Sequence, residues 1–423
     1  MRTMDVAITG IGVMAPAGLG RDAFWDRIVS GRAATRRVTL FDPTGFRCQV
    51  AAEIDFDPAA HGLTPQDWRR MDRAAQFAVV AMDEAVADSG LGVAGMDPGR
   101  VAVTVGNAVG CTTGLEEEYR VLSDDGRLWA VDHTFAVPQL YNYLVPSSIA
   151  TEVAWRSGAE GPTSVVSSGC TSGIDALGYA AGLLAEGSAD VVLAGSADAP
   201  ISPITMACFD AIKATSTYND DPEAACRPFD RDRRGLVLGE GAAMFVLENA
   251  ADARRRGAHI YARILGYATR ANGFHMTGLR ADGREMAEAI TVALNQAELD
   301  PGEIDYVNAH GSGTKQNDRH ETAAVKLSLG SRAFEVPMSS IKSMIGHSLG
   351  AIGSIEVAAC ALAIEHDVVP PTANLHERDS ECDLDYVPLT AREQKISTAL
   401  SVGSGFGGFQ SAIVMAASDK AAA

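Results

Sequence analysis

Cys170 stands in SSGCTSG, between the apolar run SVVS at 164–167 and an Ala-rich stretch at 172–186. Gly169 and Gly173 let backbones approach closely there, and the start of a helix favours a thiolate. A cysteine in that position can attack a carbonyl carbon and hold an acyl group as a thioester. The same turn also suits a small buried residue, so the company Cys170 keeps has to decide. His310 ends a strand-like run in NAHGSGTKQNDRHET, flanked by glycine and polar residues rather than by the apolar pattern of a core histidine. His347 lies in KSMIGHSLG, five residues after Lys342. Helix capping or a satisfied buried hydrogen bond would explain either histidine without chemistry.

Three other patterns compete. GIGVMA at 10–15 matches G-x-G-x-x-A after a strand, but Pro16 falls where a dinucleotide-binding helix should continue, which argues against a nicotinamide cofactor. His320 and Glu321 begin an H-E-x-x-H pattern whose last position is Ala324, so no zinc helix is expected. GHSLG at 346–350 satisfies G-x-S-x-G and offers Ser348 as an acyltransferase or esterase nucleophile. A nucleophile elbow needs its strand to run almost directly into the serine, and here IKSMI intervenes after Ser339 and Ser340.

The elements that must position these residues are short β-branched runs alternating with amphipathic Ala-rich ones: an α/β protein. Strands are expected at 6–9, 101–105, 164–167, 190–195, 306–310 and 400–405, with helices near 69–89, 172–186, 283–297 and 350–365. Two segments, 163–187 and 335–366, look like versions of one another: strand, paired serines, Gly-bearing turn, long Ala-rich helix. Each is followed by an apolar strand and a Gly-rich turn, at 195–199 and 403–408. A duplicated unit is expected, with halves at 1–252 and 253–423. If a pseudo-twofold axis relates the halves, the turns bearing Cys170 and His347 face one site.

Composition bounds the rest. With 423 residues, 47% of them hydrophobic, the chain can bury two cores, and no apolar run is expected to serve as a membrane span of about 20 residues. A cytoplasmic protein is expected, since no h-region precedes the first strand. The seven cysteines are scattered without a CxxC pair, which argues against a disulfide framework and a zinc site. A net charge of −19 repels nucleic acid and anionic lipid, so an acidic partner would need a local basic patch. Arg69, Arg70 and Arg73, or Arg231, Arg233 and Arg234, are the clusters that could supply it.

Read in order, VAITGIGVMAP, SSGCTSG, RPFDRDRRGLVLGEGAA at 227–243, NAHGSGT, SSIKSMIGHSLGAIGS and GSGFGGFQ resemble the beta-ketoacyl synthase family of the thiolase superfamily, over essentially the whole chain. Thiolases carry a second catalytic cysteine near the C-terminus, which 403–408 lacks, and chalcone-synthase-like enzymes pair cysteine and histidine with asparagine. CTSGIDALGYA, AHGSGTKQNDRHETAA and VVPPTANL resemble the alpha subunit of type II aromatic, actinorhodin-like polyketide synthases. A homodimeric fatty-acid elongating synthase is the alternative. Retention of Cys170, His310, Lys342 and His347 together argues against a non-catalytic scaffold subunit.

The resemblance implies a thiolase fold, with two similar halves, each a five-stranded mixed sheet, in alternating α and β layers. It implies that Cys170 takes an acyl chain from phosphopantetheine, with the backbone N–H groups of Cys170 and Phe406 holding the oxyanion. His310 and His347 would stabilise the enolate left when a malonyl unit loses carbon dioxide. Lys342 would tune them through Glu321 and Glu356, and Phe406 would gate the pocket. No bound cofactor or metal is implied. An acyl carrier protein delivers the arm, and a chain-length-factor subunit completes a heterodimer.

Overall fold

The computed structural model describes residues 4–128 and 130–419. Its frame is ten strands: β1 (Val6–Ala15), β2 (Val101–Gly106), β3 (Thr163–Val166), β4 (Val191–Asp198), β5 (Gly241–Asn249), β6 (Ala262–Ala271), β7 (Tyr306–Asn308), β8 (Met338–Ser339), β9 (Thr398–Gly405) and β10 (Phe409–Ala416). They hydrogen-bond in the order β8-β7-β9-β10-β6-β1-β5-β4-β2-β3, with the short strand Gly18–Leu19 hooked onto β1. The helices that matter here are α1 (Arg73–Ser89), α2 (Ser172–Glu186), α3 (Pro203–Ala211), α4 (Arg284–Gln296), α5 (Lys315–Leu329) and α6 (Ile352–His366).

The strand order reads the same outward from its middle. From β1, two antiparallel pairings (β5, then β4) are followed by two parallel ones (β2, then β3). From β6, two antiparallel pairings (β10, β9) are again followed by two parallel ones (β7, β8). The two five-strand sets touch through only three paired positions, Val6 with Ile264, Ala7 with Arg263 and Ile8 with Ala262. A register break even falls at matching places, between Ile8 and Gly10 and between Ile264 and Gly266. The two glycines answer the same need: a Cβ on Gly10 would lie 2.1 Å from the Ala85 carbonyl of α1, and one on Gly266 would lie 2.1 Å from the Ala293 carbonyl of α4.

Burial explains the layering. One apolar cluster gathers α2 and α6 with inward residues of both sets, among them Ile8, Phe245, Tyr306 and Ile413. A second packs α1 on the outer face of the first set, and a third packs α4 and α5 on the outer face of the second. Five layers result, with two helices at the centre. The stretch 349–366, which includes α6, has the length and mean hydropathy (1.4) of a membrane span, yet 89% of it is buried inside the protein, so its apolar character belongs to the central layer.

The sequence expectations need several adjustments. β1 runs to Ala15 rather than stopping at 9, because Gly10 and Gly12 press against α1 instead of making a phosphate-binding turn. The helix expected from 69 is two helices, Pro65–Arg70 and α1, and Asp72 caps the second by accepting the Ala74 N–H at 3.0 Å. Strands β5, β10 and the first half of β6 escaped notice, since apolar strands buried on both faces carry no alternation. The sheet ends differ. At β8 the Met338 N–H donates to the Asp385 carbonyl at 2.8 Å, so a neighbouring segment covers that end, whereas β3 is partly exposed and has no further strand beside it among the described residues.

Candidate active site

Cys170 follows β3 in a tight turn, Gly169–Thr171, that runs into α2. Gly169 has φ +63°, and a Cβ there would sit 3.2 Å from the Phe406 carbonyl. Gly405 complements it, since a Cβ at that position would be 2.9 Å from the Ser168 carbonyl and 3.2 Å from the Cys170 nitrogen. Two bare backbones therefore bring the β9–β10 turn onto the cysteine turn. The Phe406 N–H lies near enough to the Cys170 sulfur to favour its ionised form.

The sulfur rests as a thiol. Burial pushes it up to about 11, while the Lys342 charge and the Phe406 N–H pull down and Asp198 and Glu356 add to the rise. The thiolate expected from the helix start is thus overridden by desolvation, so attack on a carbonyl must carry the proton away.

His310 follows β7, and its N–H donates to Glu321 at 2.5 Å, with the Gly311 N–H on the other Glu321 oxygen at 2.8 Å. His347 is held by its own backbone, its N–H donating to the Val237 carbonyl at 2.8 Å. The two rings lie 5.2 Å apart at 80°. Both are held far below the usual imidazole range, first by burial and then by the positive charge of Lys342. Nδ1 of each is buried without a hydrogen-bond partner among the described residues. Neutral imidazoles each carry one N–H, and two of them can meet a developing negative charge.

Lys342 is buried and ion-paired with Glu356, whose carboxyl is pushed up by burial and pulled back by that ammonium. Glu321, paired with Lys342 in the sequence reading, has another task. Its oxygens hold the His310 loop, and although Lys342 lowers it, burial still carries it up to about 8.

A cavity of about 540 Å³ collects Cys170, His310, His347 and Phe406. Phe406 stacks on Phe209 of α3, with ring centroids 6.0 Å apart and planes at 28°. Phe209 was missed by the sequence reading, because nothing in MACFDAI marks its distance from residue 406. Ser348 is buried, its Oγ has no partner among the described residues, and the helical turn Lys342–Ile345 separates it from β8, so no strand runs into it. His320 instead bonds the Arg280 carbonyl at 2.6 Å, away from any zinc-type arrangement with Glu321.

The expected basic patches largely dissolve. Arg70 pairs with Glu152, Arg73 with Glu240 and Arg231 with Glu377. Arg233 is fully buried between Asp318 (2.9 Å) and Asp379 (2.8 Å), so that it ties the 227–243 loop to the His310 loop rather than facing solvent. The cations that do line the cavity with no carboxylate ion pair among the described residues are Arg47, Lys213, Arg234 and Lys315.

A duplicated, layered fold with one cysteine and two neutral histidines around one cavity defines a condensing enzyme of acyl groups. The description "Beta-ketoacyl synthase, N-terminal domain" matches residues 3–253 and "Beta-ketoacyl synthase, C-terminal domain" matches 261–376; the chain belongs to the beta-ketoacyl synthase family. Within that family it stands with the ketosynthase alpha subunits of type II polyketide synthases. It is 65% identical over 411 residues, 97% of this chain and 96% of the relative, to the tetracenomycin polyketide synthase ketoacyl synthase alpha subunit of Streptomyces glaucescens.

Two solved structures agree in fold. One is a type II ketosynthase bound to a hexaketide in complex with its acyl carrier protein, with a TM-score of 0.92 and 37% identity, covering 98% of this chain and 100% of that one. The other is the ishigamide ketosynthase/chain length factor, with a TM-score of 0.88 and 33% identity, covering 98% and 99%. The chain is accordingly a carbon–carbon bond-forming acyltransferase with a thiolase fold.

Proposed function

We propose that the chain joins an acyl group held on Cys170 to a malonyl unit on an acyl carrier protein by decarboxylative Claisen condensation, as the catalytic subunit of a type II polyketide synthase. The observation that carries the reading is the Phe406 turn laid against the Cys170 turn, in the same cavity as two imidazoles 5.2 Å apart. The Cys170 sulfur adds to the acyl thioester carbonyl, and the N–H groups of Cys170 and Phe406 hold the oxyanion. Collapse expels the phosphopantetheine thiolate, which takes up the proton the cysteine gave, and leaves an acyl-cysteine.

Malonyl thioester then loses carbon dioxide, and the electron pair of the broken bond becomes an enolate whose oxygen faces the N–H groups of His310 and His347. Neutral rings donate without a full charge that would trap the enolate. The enolate carbon attacks the acyl-cysteine, and the cysteine thiolate departs. Burial and then Lys342 keep both imidazoles neutral, Glu321 orients the His310 loop, and Phe406, stacked on Phe209, closes the acyl side of the cavity.

The N-terminal half, 1–252, would supply the nucleophile, and the C-terminal half, 253–423, the histidines, the lysine and the gate. The half-buried outer edge of β3, and the exposed side chains Tyr119, Phe135, Tyr141 and Leu144 of the 112–144 segment, suit a homologous chain-length-factor partner in the cytoplasm. Arg47, Lys213, Arg234 and Lys315 suit the phosphate of a pantetheine arm from the carrier. An Arg47→Glu/Lys213→Glu pair should raise the KM for carrier at low salt by tenfold or so, and an unchanged KM would clear those residues of the role.

The assignment is tested by peptide mass spectrometry of the chain and its partner after mixing with acyl-loaded carrier. An acyl adduct on the Cys170 peptide is expected, and Cys170→Ala should lose condensation but keep some malonyl decarboxylation. An adduct on Ser348 instead would hand the reaction to the serine.

A further inference from the structure

Asp175 lies in the first turn of α2, five residues past the cysteine and buried beneath it. Four hydroxyl groups donate to its carboxylate. Oδ2 accepts from Ser168 and, at 2.7 Å, from Thr171, the residues on either side of Gly169 and Cys170. Oδ1 accepts from Tyr267 at 2.9 Å and from Ser411 at 2.6 Å, on β6 and β10. One oxygen therefore faces the cysteine turn and the other faces the strands of the opposite five-strand set.

Ser411 pairs with Gly403 in the β9–β10 hairpin, whose turn presents Phe406. Tyr267 reaches the carboxylate by lying flat across α2 at Gly178, where a Cβ would come within 2.4 Å of its ring. Burial and the neighbouring Asp175 charge keep that phenol protonated and donating.

We propose that Asp175 is a positioning residue that fixes the spacing between the Cys170 and Phe406 N–H groups by tying the cysteine turn to the hairpin of the other half. This rests on Cys170 being the nucleophile and on those two N–H groups holding the oxyanion. The carboxylate touches neither substrate nor sulfur. It acts by denying the two turns independent motion, since a pair of donors converging on one oxygen loses most of its effect when either shifts by a fraction of an ångström. The histidines stand on other loops, after β7 and β8, and are not among its partners.

That separation supplies the test. With the partner subunit present, acyl transfer to Cys170 is timed by mass spectrometry from acyl carrier protein, and malonyl-carrier decarboxylation is timed separately. Asp175→Asn exchanges an accepting oxygen for a donating amide, and should slow acyl transfer by about tenfold to a hundredfold. Decarboxylation should stay within about twofold and the KM for carrier should not move, because neither involves the oxyanion pair. Tyr267→Phe/Ser411→Ala removes only the two donors on the far side. It should slow acyl transfer by about fivefold with the same selectivity, and it decides the matter alone if Asp175→Asn does not fold.

Unchanged acyl transfer in the double variant would overturn the proposal, as would a proportional loss of both activities, the mark of general loosening. A wild-type chain that takes no acyl group on Cys170 would overturn the nucleophile assignment beneath it, a result the wild-type control reports by itself.

Discussion

Lys342→Met removes a buried ammonium whose ion-pair partner stays behind. Lys342 and Glu356 have side chains 0% and 1% exposed, and the second Glu356 oxygen already lacks a partner among the described residues. Stranding one member of such a pair costs about 3–5 kcal/mol. That is a large share of the roughly 5–15 kcal/mol that holds a domain folded. Lys342→Met/Glu356→Gln, which strands no charge, should recover at least half of the loss. The assay is the urea midpoint at fixed protein concentration, with the m-value checked for constancy.

A second readout ties the same residue to function. The Lys342 charge is, after burial, the next cause holding His310 and His347 neutral, so its loss raises both imidazoles. The acid limb of the malonyl decarboxylation profile should then move toward neutral pH. The stability recovered in the double variant must not restore that limb. A double variant no more stable than Lys342→Met, or an acid limb that stays put, would refute the reasoning.

Two further outcomes follow from the geometry. His347 is lowered in the folded chain, so the unfolded chain takes up a proton first as pH falls through about 6.5, and stability is lost on the acid side. Between pH 7.5 and 5.5 the unfolding free energy of His347→Gln should therefore fall less than that of the natural chain. Glu321 has the opposite sign, since its folded value of about 8 makes stability fall as pH rises toward 8, and Glu321→Gln should flatten that limb. Gly266→Ala should destabilise by about 2 kcal/mol or more in thermal unfolding, because its Cβ would stand 2.1 Å from the Ala293 carbonyl of a packed helix; an unchanged Tm would mean α4 can simply move away.

The sequence made much of this visible for identifiable reasons. Cys170, His310 and His347 stand in turns rich in glycine and polar residues, where chemistry and packing leave different residue patterns, and the repeated strand–serine–glycine–helix unit disclosed the duplication. What stayed hidden depends on distance through space. Nothing local says that Phe209 meets Phe406, that Glu321 serves backbone N–H groups, or that Arg233, one of a run of arginines, is sealed between Asp318 and Asp379. The strands β5, β10 and the first half of β6 vanished because double-sided burial erases the period-two signal.

The two ends of the strand order have unequal fates. The β8 end is already satisfied by the chain's own 383–387 segment, while the β3 end offers unpaired backbone groups. A sheet with one live end can be extended once. When a second chain of the same build docks there, each covers the open end of the long strand order that the other offers among the described residues.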